Sequence, residues 1–219
     1  MPRKIETPRV RMTGKERRQQ LLDVARSLFA EKGFDGTSVE EIAHRASVSK
    51  PVVYEHFGGK EGIYAVVVDR EMETLLEGMT TALSEEEHPR VLLERAALSL
   101  LDYVESSTDG FRILVRDSPV ATTTGTFSSL LNDIASQVEH ILGVQFHRRG
   151  YEPKLAALYA QALVGMVALT GQWWLEARKP KKADVAAHLV NLAWNGLSNL
   201  DGKPRLSEQP WSGTARGSG

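Results

Sequence analysis

Apolar residues return every three or four positions along almost the whole chain. No stretch alternates polar and apolar with the period of two that a half-buried strand needs. That pattern predicts an all-α protein with about nine helices. Gly33, the Gly58-Gly59 pair and Lys179-Pro180 mark helix ends. The predicted helices run roughly 14–32, 38–46, 49–57, 60–83, 89–107, 111–116, 126–149, 153–178 and 183–200. A loop over 117–125 holds Pro119 and three consecutive threonines. Residues 1–13 read as a flexible basic arm and 14–62 and 63–200 as two helical units. Residues 201–219, rich in Gly, Pro and Ser, read as a disordered tail.

Composition removes several function classes. The chain has no cysteine, which excludes disulfides, zinc fingers, iron–sulfur clusters and thiol redox chemistry. Its six histidines show no metal-ligand spacing, and neither a nucleophile elbow nor a phosphate loop is present. No enzyme activity, metal or cofactor is expected. The first ten residues lack the apolar core of a signal peptide, so a cytoplasmic location is expected. The segment 154–178 is long and apolar enough to span a membrane. Gln161, Thr170, Gln172 and Glu176 favour a helix buried on all sides instead, and no membrane partner is expected.

The net charge of −1 hides an asymmetry. Residues 1–20 carry seven Lys or Arg against two Glu, and the excess of acids lies beyond residue 62. A basic front on an acidic body suits a chain whose front meets phosphates; a solvated arm has the same composition.

Residues 38–57 have the layout of a helix-turn-helix. Two short helices flank the small turn Ser47-Val48-Ser49, and Ile42, Ala43, Ala46, Val48 and Val53 are spaced to pack the pair together. Ser38-Val-Glu-Glu41 fits a capping box, and Pro51 falls in the first turn of the second helix. A helical hairpin within a larger bundle shares this pattern.

Residues 25–64, ARSLFAEKGFDGTSVEEIAHRASVSKPVVYEHFGGKEGIY, resemble the DNA-binding domain of TetR-type regulators. Ala25, Phe29, Gly33, Thr37, Ile42, Ala43, Ala46, Tyr54, Phe57, Lys60 and Glu61 carry the likeness. Ser47 stands where the family often has glycine, a departure expected to matter little, and Gly62-Ile63 replaces the usual Leu. The resemblance implies a homodimeric, ligand-controlled repressor on a palindromic double-stranded operator. It implies a DNA-binding set of Ser38, Ser49, Lys50, Pro51, Val52, Tyr54, His56 and Lys60. Ser38, Tyr54 and Lys60 would meet phosphates, while Lys50 and Val52 would face base edges. Tyr54 also reads as a core aromatic and His56 as an idle surface residue; Glu40 and Glu55 read as base contacts or solvated acids. Arg9, Arg11, Lys15, Arg17 and Arg18 are taken as a phosphate-seeking arm before the first helix.

The resemblance further implies that the remainder binds an effector and dimerises through the last two helices. Gly165, Gly171 and Gly196 would allow close approach there, and Leu189, Leu192, Ala193 and Leu197 would form a matching stripe. The expected pocket wall is Tyr103, Phe111, Leu114, Phe127, Leu131, Ile134, Tyr159, Leu163, Met166 and Trp173, each of which also reads as plain core. Residues 110–117 and 162–200 are most similar to the branch that controls fatty-acid synthesis genes and senses long-chain acyl-CoA. Arg112 and Arg116 then face the CoA phosphates or form surface ion pairs. A multidrug-responsive efflux repressor is the alternative, with Asp102 or Glu105 receiving a hydrophobic cation.

Overall fold

The computed structural model describes residues 12–84, 87–116 and 127–206. The arm up to residue 11, the 117–126 loop and the tail from 207 lie outside the described residues. Among the described residues there are nine α-helices and no strand: α1 (Gly14–Lys32), α2 (Val39–Arg45), α3 (Lys50–Phe57), α4 (Lys60–Leu83), α5 (Pro89–Ser106), α6 (Thr108–Leu114), α7 (Phe127–Arg149), α8 (Ala156–Ala177) and α9 (Lys182–Ser198). The helix around Phe111 starts three residues earlier than predicted, because Gly110 sits inside it and Thr108 opens it with its hydroxyl on the Val104 carbonyl, 3.0 Å away.

A capping box does occur, but at α1. Glu16 N–H donates to Thr13 Oγ1 (3.2 Å), and Thr13 N–H donates to the Glu16 carboxylate (2.7 Å). At α2 only half of the predicted box forms. Ser38 Oγ accepts from Glu41 N–H (3.2 Å), but the Glu41 carboxylate turns to Lys32 Nζ at 2.5 Å. A full cation outcompetes one amide for that carboxylate.

The turn between α2 and α3 is a Schellman motif. Ser47 N–H donates to His44 O (3.0 Å) and Val48 N–H to Ala43 O (2.9 Å), with Ser47 left-handed at φ 54°. A serine at that position carries a backbone cost that glycine would not, so the departure at residue 47 matters more than the sequence reading allowed. Gly58, at φ 73°, ends α3 as predicted. The buried Thr37 hydroxyl donates to Gly33 O at 2.8 Å and pins the α1–α2 loop. Tyr64 meets both Phe29 and Phe34 edge to face at 4.9 Å and joins α4 to that loop.

The second half is a bundle. α4 lies against α1, α5 and α7; α7 runs along α8; α5 packs on α9; and α6 lies across α1. Where α1, α4, α5 and α6 converge there is a half-buried polar cluster. Arg26 Nε stands 2.7 Å from Glu71 Oε1, and Tyr103 OH donates to Glu71 Oε2 at 2.6 Å. Burial and the Glu71 carboxylate push the Tyr103 hydroxyl far above its ordinary range, so it remains a donor. Gly110 makes room for this: a Cβ there would lie 1.8 Å from Glu71 Oε2 and 2.8 Å from Tyr103 OH.

Two stability outcomes follow. Gly110→Ala should destabilise the protein by about 1–3 kcal/mol through overpacking, read as a lower denaturant midpoint. Ser47→Gly should stabilise it by up to about 1 kcal/mol by relieving the left-handed serine, raising Tm by about 2–4 °C. An unchanged or lower Tm would mean that the turn stores no strain.

Candidate nucleic-acid interface and cavity

Helix α3 buries Val53 completely and presents Lys50, Pro51, Tyr54 and Glu55 outward, with Tyr54 53% exposed. An aromatic ring left in water on an eight-residue helix has no packing role there, so the core reading of Tyr54 is excluded. Ser38 and Ser49 are exposed at the starts of α2 and α3; Ser49 makes no capping bond. Val52 is half-buried against the core and faces outward only in part. His56 is half-buried, its ring 6.2 Å from that of Phe57.

The cations of this face are held by acids. Lys50 pairs with Glu40, Lys32 with Glu41 at 2.5 Å, and Arg45 with Glu31 at 3.1 Å. The hydrogen bond from Lys50 holds the Glu40 carboxyl below the usual carboxylate range. Lys60 does not extend outward. Its ammonium donates to Phe34 O (3.1 Å) and lies 4.1 Å from the centre of the Phe34 ring, bracing the α1–α2 loop. Lys15, Arg17 and Arg18 belong to α1 rather than to an arm before it. Arg17 donates to Gln20, and Arg18 lies over the Phe57 ring at 4.5 Å.

The second feature is a partly open cavity of about 90 Å³ lined by α4, α5, α7, α8 and α9. Every residue lining it is apolar. It is elongated: its α7 wall alone runs from Phe127 to Leu142, about 22 Å at the helical rise. Of the expected wall, Phe127, Leu131, Ile134 and Leu163 line it. The other expected residues do not. Tyr103 serves Glu71, Phe111 and Leu114 are buried in the core, Tyr159 packs on Phe146 at 5.4 Å, and Met166 packs against the main core. Trp173 is 54% exposed on the outer side of α8. Arg112 pairs with Glu176 at 3.4 Å, and Arg116 reaches Phe29 O. Asp102 and Glu105 are both held by Lys182, at 2.5 and 2.6 Å.

Sequence reasoning missed the α4, α5 and α9 walls, among them Leu75, Met79, Leu92 and Trp194. The only signal for them was the width of those apolar faces, broader than one neighbour can cover. Gly171, assigned to a subunit contact, instead admits Leu100, whose Cδ2 lies 3.0 Å from a Cβ position there. Leu189 and Ala193 are buried within the chain, and Leu197 lines the cavity. Nothing lies within 4 Å of the Cβ positions of Gly165 and Gly196.

Comparison with known proteins gives one answer. The sequence profile of bacterial regulatory proteins of the tetR family matches residues 21–67, and that of the tetracyclin repressor-like C-terminal domain matches residues 89–196. The transcriptional activator FasR of Mycolicibacterium smegmatis is 30% identical over 197 residues, 87% of each chain. A TetR-like transcriptional regulator from Rhodococcus sp. RHA1 superposes with a TM-score of 0.74 at 27% identity, covering 87% of this chain and all of that one. The fatty acid degradation regulator FadR of Bacillus halodurans shares the fold, with a TM-score of 0.67 at 16% identity over 83% of this chain and 96% of that one. The helix-turn-helix, the helical body behind it and these matches together make the chain a member of the TetR family: a DNA-binding transcription regulator and not an enzyme.

Proposed function

We propose that the protein is a homodimeric, operator-binding regulator of lipid genes whose DNA binding responds to a long acyl chain, carried as acyl-CoA. One observation carries this reading. The same helix, α4, begins at Lys60 inside the DNA-binding unit and lines the apolar cavity with Leu75, Met79 and Leu83. A ligand that separates the cavity walls must move α4, and so moves α3. Ligand and operator affinities are then coupled reciprocally.

The cavity favours a chain-like hydrocarbon over the efflux-type cation. None of its lining residues is acidic, and a cation buried there would lose hydration with no counter-ion. Support for the lipid branch also comes from the 30% identity to FasR and the fold shared with FadR. FasR is an activator, and repression was the sequence expectation. One bound dimer blocks or assists polymerase according to where its operator lies, so a promoter fusion reads the sign directly.

A dimer is supported by apolar surface that one chain leaves in water. Leu158 and Leu169 on α8 are 63% and 66% exposed, and Leu192 on α9 is 66% exposed. Trp173 and the open Gly165 and Gly196 lie on the same two helices. Two α3 helices about 34–36 Å apart would then read successive major grooves. In this reading Ser38 and Tyr54 hold phosphates, Ser49 and His56 flank them, Lys50, Pro51 and part of Val52 face base edges, and Lys60 keeps the loop in place.

Fluorescence anisotropy on DNA from upstream of the gene, with and without oleoyl-CoA, tests the whole. Saturable, salt-sensitive binding that shifts with oleoyl-CoA is expected; binding indifferent to it would remove the acyl effector and leave the regulator. On the same DNA, Tyr54→Phe should weaken binding to all sequences alike, and Lys50→Ala should flatten sequence preference. Glu40→Gln should tighten binding several-fold, because it removes a charge that repels phosphate and frees Lys50. If Glu40→Gln binds as the parent does, the Lys50–Glu40 pair does not hold on DNA.

A further inference from the structure

The cavity is not alike at its two ends. At one end its walls include Leu75, Leu100 and Val167, which are 2%, 5% and 7% exposed, with Phe127 and Leu131 half-exposed beside them. At the other they are Leu83, Pro89, Trp194 and Leu197, all half-exposed. One mouth, with every named wall residue half-exposed, opens beside the start of α5 and the end of α9.

An arginine and a histidine stand at this mouth. The Arg149 guanidinium contacts the backbone carbonyl of Leu197, itself a rim residue, at 3.4 Å. The ring of His88 lies 5.1 Å from that of Trp194, another rim residue. Ile141 and Leu142 are the last α7 residues to line the cavity. Seven residues on, two helical turns later, the same two faces of α7 carry Arg148 and Arg149. The wall thus passes from hydrocarbon to guanidinium without changing face. Among the described residues, Glu87 is held by Arg95, Glu94 by Arg90 at 3.2 Å, Glu152 by Lys154 at 2.8 Å, and Asp201 accepts from the Lys203 backbone N–H at 2.9 Å. Arg149, by contrast, is spent on a neutral carbonyl, which an anion can displace at little cost.

We infer that Arg148 and Arg149 form an anion site that receives the headgroup of the effector, carboxylate or phosphate, while its chain fills the cavity towards Leu75. The inference rests on the acyl-chain reading above and fixes the ligand's direction: tail towards the DNA-binding unit, head away from it. Arg112 and Arg116, expected to take this part, stand elsewhere, one on Glu176 and the other on the α1 backbone. A neutral chain fits the hydrocarbon part equally well, so the cations are what select for an amphiphile with an acidic head.

Calorimetric titration of the full chain with oleoyl-CoA, oleate and oleyl alcohol tests this. The Arg148→Ala, Arg149→Ala double variant should bind the two anions about tenfold or more weakly and the alcohol unchanged. Arg149→Lys, which keeps the charge, should restore most of the loss. A larger loss for oleoyl-CoA than for oleate assigns the site to phosphates; equal losses assign it to a carboxylate-sized anion. Equal weakening of all three ligands, or none for any, would overturn the anion site and leave the acyl cavity standing. Failure of the parent protein to bind any of the three would overturn the acyl reading and the headgroup site together. Matched melting curves for parent and variants exclude loss of fold as the cause.

Discussion

A single uninterrupted helix carries one continuous core from the DNA-binding unit into the C-terminal bundle. The first turns of α4 put Ile63, Tyr64 and Val67 against α1 and the aromatic pair Phe29–Phe34. Its last turns put Leu75 and Met79 into the core of the C-terminal half. Twenty-four residues of helix reach about 36 Å, and their hydrogen bonds do not stretch to absorb a displacement at one end. Glu71 stands between the two sets, tied to α1 through Arg26 and to α5 through Tyr103. The Arg26–Glu71 pair is only half-buried, so its net contribution is small, and what it adds is a fixed partner for the Tyr103 hydroxyl. Its effect is to fix the angle at which α1 meets α4 and α5, which the surrounding leucines alone would leave adjustable.

The DNA-facing surface is governed by the opposite balance. Lys32, Arg45 and Lys50 are paired with carboxylates that remain partly or fully in water. Exposed pairs are worth about 0–1 kcal/mol, so a polyanion can exchange with them readily. In the proposed reading the pairs keep the unit nearly neutral off DNA and would release their cations on it. For Lys50 the proposed exchange would also discriminate, because a base edge without an acceptor at least as good as Glu40 would leave the lysine where it is.

The helices, their order and the helix-turn-helix were legible because each depends on neighbours in sequence. Ser38 before Glu41, Pro51 in a first turn and Gly58 after Phe57 are local signals, and they mark the boundaries to within a residue or two. What escaped depends on contacts across the bundle. Glu71 and Arg26 look like solvated helix positions until α5 and α6 close over them. Whether an apolar face is filled by a neighbour or left open as a cavity is set by how helices splay, and periodicity cannot report that. Trp173 was assigned inward because it is large and apolar, yet α8 turns it to the surface beside the inward Trp174. Arg112 and Arg116 were assigned to a mouth because they are cations near an apolar run, but α6 faces α1, and the opening lies at the other end.

The composition of α8 follows from serving two surfaces at once. Val164, Val167 and Ala168 form a wall of the cavity, while Leu158, Leu169 and Trp173 point into solvent on the isolated chain. A helix with one burial task needs one apolar stripe; this one is apolar on nearly every face, which is why it reads as a membrane span by length and hydropathy. Only 33% of that apolar window is buried within the chain, and in the proposed dimer the exposed residues Leu158, Leu169 and Trp173 pack against the second copy. Filling the cavity then acts on two structures through adjacent walls, on α4 towards the operator and on α8 towards the partner subunit. A ligand that changes the angle between the two DNA-binding units needs both movements, because the spacing of the recognition helices is set jointly by how each hangs from its own body and how the bodies meet.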